Sequence, residues 1–72
     1  MRFDIMDQTG HSTEAFDKAS PAALEAAQAR FNELVAEGRT AAVRTGNATG
    51  RVIRKFDPTA EEVLFIPRLV AG

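Results

Sequence analysis

The chain opens with an alternation. Met1, Phe3 and Ile5 are apolar while Arg2 and Asp4 between them are charged, the period-two pattern of a half-buried strand. Asp7-Gln8-Thr9-Gly10 then supplies turn chemistry, so a return strand is expected over Ser12 to Asp17. That stretch has only Ala15 and Phe16 as apolar residues, which suits a polar edge position. Ser20-Pro21 marks a helix start, because Ser accepts orphan backbone N–H bonds and Pro at the first helical position lacks a donor that would go unused. Leu24, Ala27, Phe31, Leu34 and Val35 then recur at helical spacing, and Gly38 follows where a left-handed terminating residue is wanted.

Beyond Gly38 the pattern returns to strands. Thr40 to Arg44 and Arg51 to Phe56 read as a second hairpin joined by Thr45-Gly46-Asn47-Ala48-Thr49-Gly50. Asp57-Pro58 breaks the second of these strands, since Pro58 has no N–H and restricts the residue before it. The segment up to Glu61 is expected to form a turn or a short helical turn. Val63-Leu64-Phe65-Ile66, closed by Pro67, is an uninterrupted apolar run that suits a strand buried on both sides or paired in the middle of a sheet. The expected fold class is α+β, with one helix packed on a four- to five-stranded mixed sheet in the order β-β-α-β-β-β. The Leu24/Phe31/Leu34 face of the helix is expected to cover one face of that sheet.

Composition sharpens this picture by exclusion. Seventy-two residues with five Phe and no Trp, Tyr or Cys can bury one core, so the expectation is a single small domain over 1–72 with a tail at 67–72. The lack of Cys removes disulfides, thiolate zinc sites and cysteine nucleophiles, and it agrees with a cytoplasmic location. The longest apolar run is four residues against about 20 needed to span a bilayer, and the first residues do not resemble a signal peptide.

The formal net charge of -1 hides an uneven distribution. Acids predominate through Glu37, whereas Arg39, Arg44, Arg51, Arg54 and Lys55 follow with no acid among them. Two readings apply. Arg44, Arg51 and Arg54 on the second hairpin, with Arg68 in the tail, form a surface for an acidic partner; alternatively the cations are neutralised by helix acids such as Glu33 and Glu37. Nucleic-acid binding through the same hairpin is a further reading, weakened because no aromatic is interleaved for base stacking and Phe56 is needed in the core.

Candidates for catalysis are few. His11 is the sole histidine and sits in or near the first turn with no partner for a metal or nucleophile set, so a surface role is expected and no metal site is assigned. Asp57, Glu61 and Glu62 are the local carboxylates available for acid–base work, but strand alternation sends Glu61 and Glu62 to opposite faces. There is no P-loop and no dinucleotide fingerprint. No cofactor is implied and the chain is not expected to be an enzyme.

The C-terminal stretch is more informative. Glu61-Glu62-Val63-Leu64-Phe65-Ile66-Pro67-Arg68-Leu69-Val70-Ala71-Gly72 runs from an acidic turn through an apolar strand and a proline to two small residues. It resembles the ending of the ubiquitin-like sulfur carriers, the type of the molybdopterin-synthase small subunit and the thiazole-synthesis carrier. The resemblance implies a β-grasp fold with the last strand parallel to the first at the sheet's centre. It also implies an adenylating enzyme as partner, and a transfer site at Ala71 and Gly72 where the terminal carboxylate becomes a thiocarboxylate or an isopeptide donor. Ala71 stands where the family has the first Gly of its pair, and Arg68 where the carriers often have a second Pro. The reading that follows is a non-enzymatic β-grasp-like domain working through an unidentified protein partner. Active sulfur transfer or protein modification through Gly72 is the first alternative and nucleic-acid binding the second.

Overall fold

The computed structural model describes residues 1–7, 9–45 and 48–67, without the side chains of 45, 48 and 49. Five strands and one helix follow in the order expected: β1 (Arg2–Asp7), β2 (Gly10–Ala15), α1 (Pro21–Ala36), β3 (Thr40–Thr45), β4 (Ala48–Ile53) and β5 (Glu62–Ile66). The strands form one mixed sheet in the spatial order β2-β1-β5-β3-β4. β5 lies at its centre, parallel to β1 and antiparallel to β3, while β1–β2 and β3–β4 are antiparallel hairpins. The apolar run therefore occupies the best-covered position, and the polar return strand lies at an edge.

The helix begins and ends for the reasons visible in the chain. Ser20 Oγ accepts the Ala23 N–H at 3.2 Å, and Pro21 is the first helical residue. At the other end Gly38 has φ of 96°, a left-handed conformation that a side chain disfavours, and its N–H donates to the Val35 carbonyl. Ala27, Phe31 and Leu34 are fully covered on the helix face that meets the sheet, where they pack with Phe3, Ile5, Ala41, Val43, Val63 and Phe65. The five phenylalanines form one chain of ring contacts. Phe16 meets Phe3 and Phe3 meets Phe65, both at 5.0 Å; Phe65 meets Phe31 at 5.6 Å, and Phe31 meets Phe56 at 5.8 Å. The tilted and edge-on geometries are those that aromatic quadrupoles favour.

Two boundaries depart from the sequence pattern. The return strand spans Gly10–Ala15 rather than Ser12 to Asp17, because pairing starts directly at the turn with Asp7 opposite Gly10. The fourth strand spans Ala48–Ile53 rather than Arg51 to Phe56, so most of the expected six-residue loop is strand. Gly50 is the reason the pattern misleads. It marks no turn: a Cβ built there would lie 1.2 Å from the Val43 carbonyl oxygen, so it permits close backbone approach beside the register irregularity between Val43 and Thr45. Phe56 leaves the sheet after the Arg54-Lys55 bend to meet Phe31.

Candidate interaction surface

Strand alternation gives the sheet two unlike faces. Phe3, Ile5, Ala41, Val43, Val63 and Phe65 point toward the helix. Their neighbours form the other face. Cross-strand pairing aligns Thr13, Asp4, Leu64, Ala42 and Val52 in one row from β2 to β4. To one side of that row Ile66 lies opposite Thr40 and Met6 opposite His11. On the other side Arg2 lies opposite Glu62, which lies opposite Arg44.

No element of the described chain covers this face. Met6, Val52 and Ile66 are the exposed large hydrophobic side chains among the described residues, at 43%, 61% and 37% relative exposure, and all three belong to it. Leu64 and Ala42, half-buried between them, join Val52 into an apolar strip. The polar row beside it is internally paired. Arg2 donates to Glu62 and lies 3.4 Å from Asp4, while Arg44 lies 3.5 Å from the other oxygen of Glu62. Thr13 Oγ1 donates to Asp4 at 3.1 Å.

The basic segment divides. Arg39 is neutralised as expected, forming ion pairs with Glu37 and Asp7. Glu33, however, pairs with Arg30, which also binds Glu14 through both carboxylate oxygens. Neither Glu33 nor Glu37 reaches Arg44, Arg51 or Arg54. The expectation that the helix acids neutralise the hairpin is therefore corrected: α1 packs so that Glu33 and Glu37 face Arg30 and Arg39, and Arg44 finds its counter-ion within the sheet, at Glu62. Arg51, Arg54 and Lys55 are exposed and make no ion pair with any described residue, although the charge of Arg51 is felt at Asp57. Arg68, Ala71 and Gly72, the tail residues singled out by the sequence, lie outside the described residues.

The candidate acids hold local structure. Asp57 accepts the Thr59 hydroxyl at 2.6 Å and the Thr59 N–H at 2.9 Å, and these bonds hold its carboxyl below the usual range. Glu61 is lowered by its contact with the Lys18 ammonium at 2.6 Å. Glu62 faces the open side between Arg2 and Arg44, so the three carboxylates do not converge. Arg30 is raised by its bonds to Glu14, stabilising the charge it already carries. His11 is exposed at the second position of β2, and no group of metal-ligating side chains occurs among the described residues. No described helix is long and apolar enough to cross a membrane.

Sequence reasoning singled out Arg44, Arg51 and Arg54 but missed the apolar strip. Its members come from four strands, so only the register brings Met6, Leu64, Ala42 and Val52 to one face. Period-two alternation in β1 was the available signal, since it sends Met6 away from Phe3 and Ile5. No family model matches this chain, and neither a curated protein nor a solved structure matches it.

Proposed function

We propose that this chain is a non-enzymatic protein-interaction domain of the ubiquitin-like, β-grasp type, and that its helix-free sheet face is the working surface. The observation that carries the reading is the gathering of Met6, Val52 and Ile66 on one uncovered face. A small chain short of large apolar residues leaves part of three of them in water beside the half-buried Leu64, forgoing a share of the about 1.5 to 3 kcal/mol that full burial of such a side chain supplies. Contiguous exposed apolar surface rimmed by charged residues is the usual form of a partner site. The central place of β5, parallel to β1, supports the β-grasp reading because the resemblance of Glu61 to Gly72 implies a last strand parallel to the first at the sheet's centre.

The test is retention of proteins from host extract by the wild-type chain and by a Val52→Asp/Ile66→Asp variant. Loss of specific retained species in the variant, with its thermal transition unchanged, supports the reading. Identical retention by both removes it.

Sulfur transfer or protein modification through Gly72 is the second reading. It is favoured by the run of the central strand β5 through Ile66 and Pro67 into the tail. An adenylating enzyme is then the partner. Intact mass from the host, compared with a chain lacking Gly72, decides it: an oxygen-to-sulfur change or a covalent adduct present only in the full chain supports transfer, and an unmodified mass in both opposes it. Nucleic-acid binding draws less support, because the ring of Phe56 is engaged with Phe31 rather than offered beside Arg51, Arg54 and Lys55.

A further inference from the structure

We infer that the free edge of β4 accepts an extended protein segment in which acidic and apolar residues alternate, adding it to the sheet as a sixth strand beside the existing five. The inference rests on the reading of this chain as an interaction domain and deepens it by naming the partner's chemistry. Among the described residues β4 pairs with β3 on one side only. Its other side therefore presents unpaired backbone N–H and C=O groups, the template for strand addition.

The side chains specify what would pair there. Arg51 lies opposite Val43 and so projects to the helix side of the sheet, whereas Val52 lies opposite Ala42 and projects to the open side. Arg54 and Lys55 follow directly in the bend, both exposed. An added strand has the same alternation as β4. It meets Arg51 with one set of its side chains and Val52, with the apolar strip behind it, with the other set. Complementarity then requires an acid opposite Arg51 on the first set, which also meets the half-buried Ile53, and apolar groups on the second.

Charge also disfavours the simplest competitor. A second copy of this chain, paired β4 to β4, would offer Arg51 no acid across the pair, since β4 carries none. Asp57, which feels the charge of Arg51, is engaged by Thr59, and Glu33 and Glu62 are already paired to Arg30, Arg2 and Arg44. The opposite edge lacks the feature, because β2 carries Glu14 bound to Arg30 and has no unpaired cation among its residues.

The experiment is an NMR titration of the full chain with a capped six-residue peptide of alternating Glu and Val, matching β4 in length. Three further probes accompany it: the same composition in scrambled order, the alternating peptide N-methylated on alternate amides, and a DNA duplex. The inference predicts shifts and slowed amide exchange centred on Ala48 to Ile53, with both control peptides at least about tenfold weaker. It also predicts that Arg51→Glu/Arg54→Glu weakens the alternating peptide by about tenfold, with the thermal transition unchanged. Met6→Ser, on the open face but away from β4, leaves peptide affinity unaltered. Equal binding of the scrambled or N-methylated peptide overturns strand addition, as do shifts centred on β2 or the helix, or no binding at all. Tighter binding of the duplex than of the alternating peptide overturns the choice of partner. Loss of peptide binding on Met6→Ser would place the contact on the open face instead, which sinks the edge inference while leaving the interaction-domain reading intact.

Discussion

The two faces of the sheet are built from alternate residues of the same strands, yet they differ in what they do for the chain. On the covered side Phe3, Val63 and Phe65 are fully buried against Phe31 and Leu34 of the helix. On the open side Met6, Val52 and Ile66 remain in water. Burial of the first set supplies most of the stability; the second set, only partly covered, adds less. The apolar groups left partly in water on the open side are the ones on which the proposed interaction surface rests.

Substitution at Phe65 gives the largest expected effect. Its ring is fully buried and touches both Phe3 and Phe31, so Phe65→Ala should cost about 3 to 5 kcal/mol. A core of this size typically supplies ~3 to 5 kcal/mol in all, so the variant is expected to be largely unfolded by circular dichroism at 25 °C. A cooperative transition close to the wild-type midpoint would break the contrast between the faces. Next in size, Gly50→Ala should cost about 2 kcal/mol in urea denaturation, because the added methyl overlaps the Val43 carbonyl and forces the β3–β4 pair apart. Unchanged stability would show that the close approach is dispensable.

On the open face, Val52→Ser should change stability by about 0.5 kcal/mol, and Ile66→Ser, partly covered on the central strand, by about 1 kcal/mol. A loss comparable to that at Phe65 would mean that the two faces do not divide the work. The smallest effect concerns acid. Asp57 and Glu61 have carboxyls held below their ordinary values by Thr59 and Lys18, so both contribute stability above the usual carboxylate range. That contribution is lost as pH falls through the lowered values. Lys18→Met should return the Glu61 titration toward the ordinary value without moving Asp57 to the same extent, as followed by carbon-detected NMR; an unaltered Glu61 titration would count against the ion pair.

The sequence carried the covered face more clearly than the open one, for a physical reason. Phe3 and Ile5, the Ser20-Pro21 helix start and the Val63-to-Ile66 run are local signals, because one element's period shows which side is buried. β4 was displaced because Gly50 resembles turn chemistry, while its cause is a backbone contact with Val43 across the hairpin. The Arg2–Glu62 and Lys18–Glu61 pairs were not legible either. They depend on the juxtaposition of chain ends that only the parallel β1–β5 pairing creates. Arg44, Arg51 and Arg54 stood out as a charge run, but whether acids covered them depended on the rotation of the helix.

The most direct test of the division between faces is site-specific photo-crosslinking in the host. A photoreactive residue is placed singly at Val52 and Ile66 on the open face, and at Ala26 and Ala29 on the exposed side of the helix. The account predicts discrete protein adducts from Val52 and Ile66 and none of the same species from the helix positions. Adducts of equal yield from both sets, or from Ala26 and Ala29 alone, would contradict it.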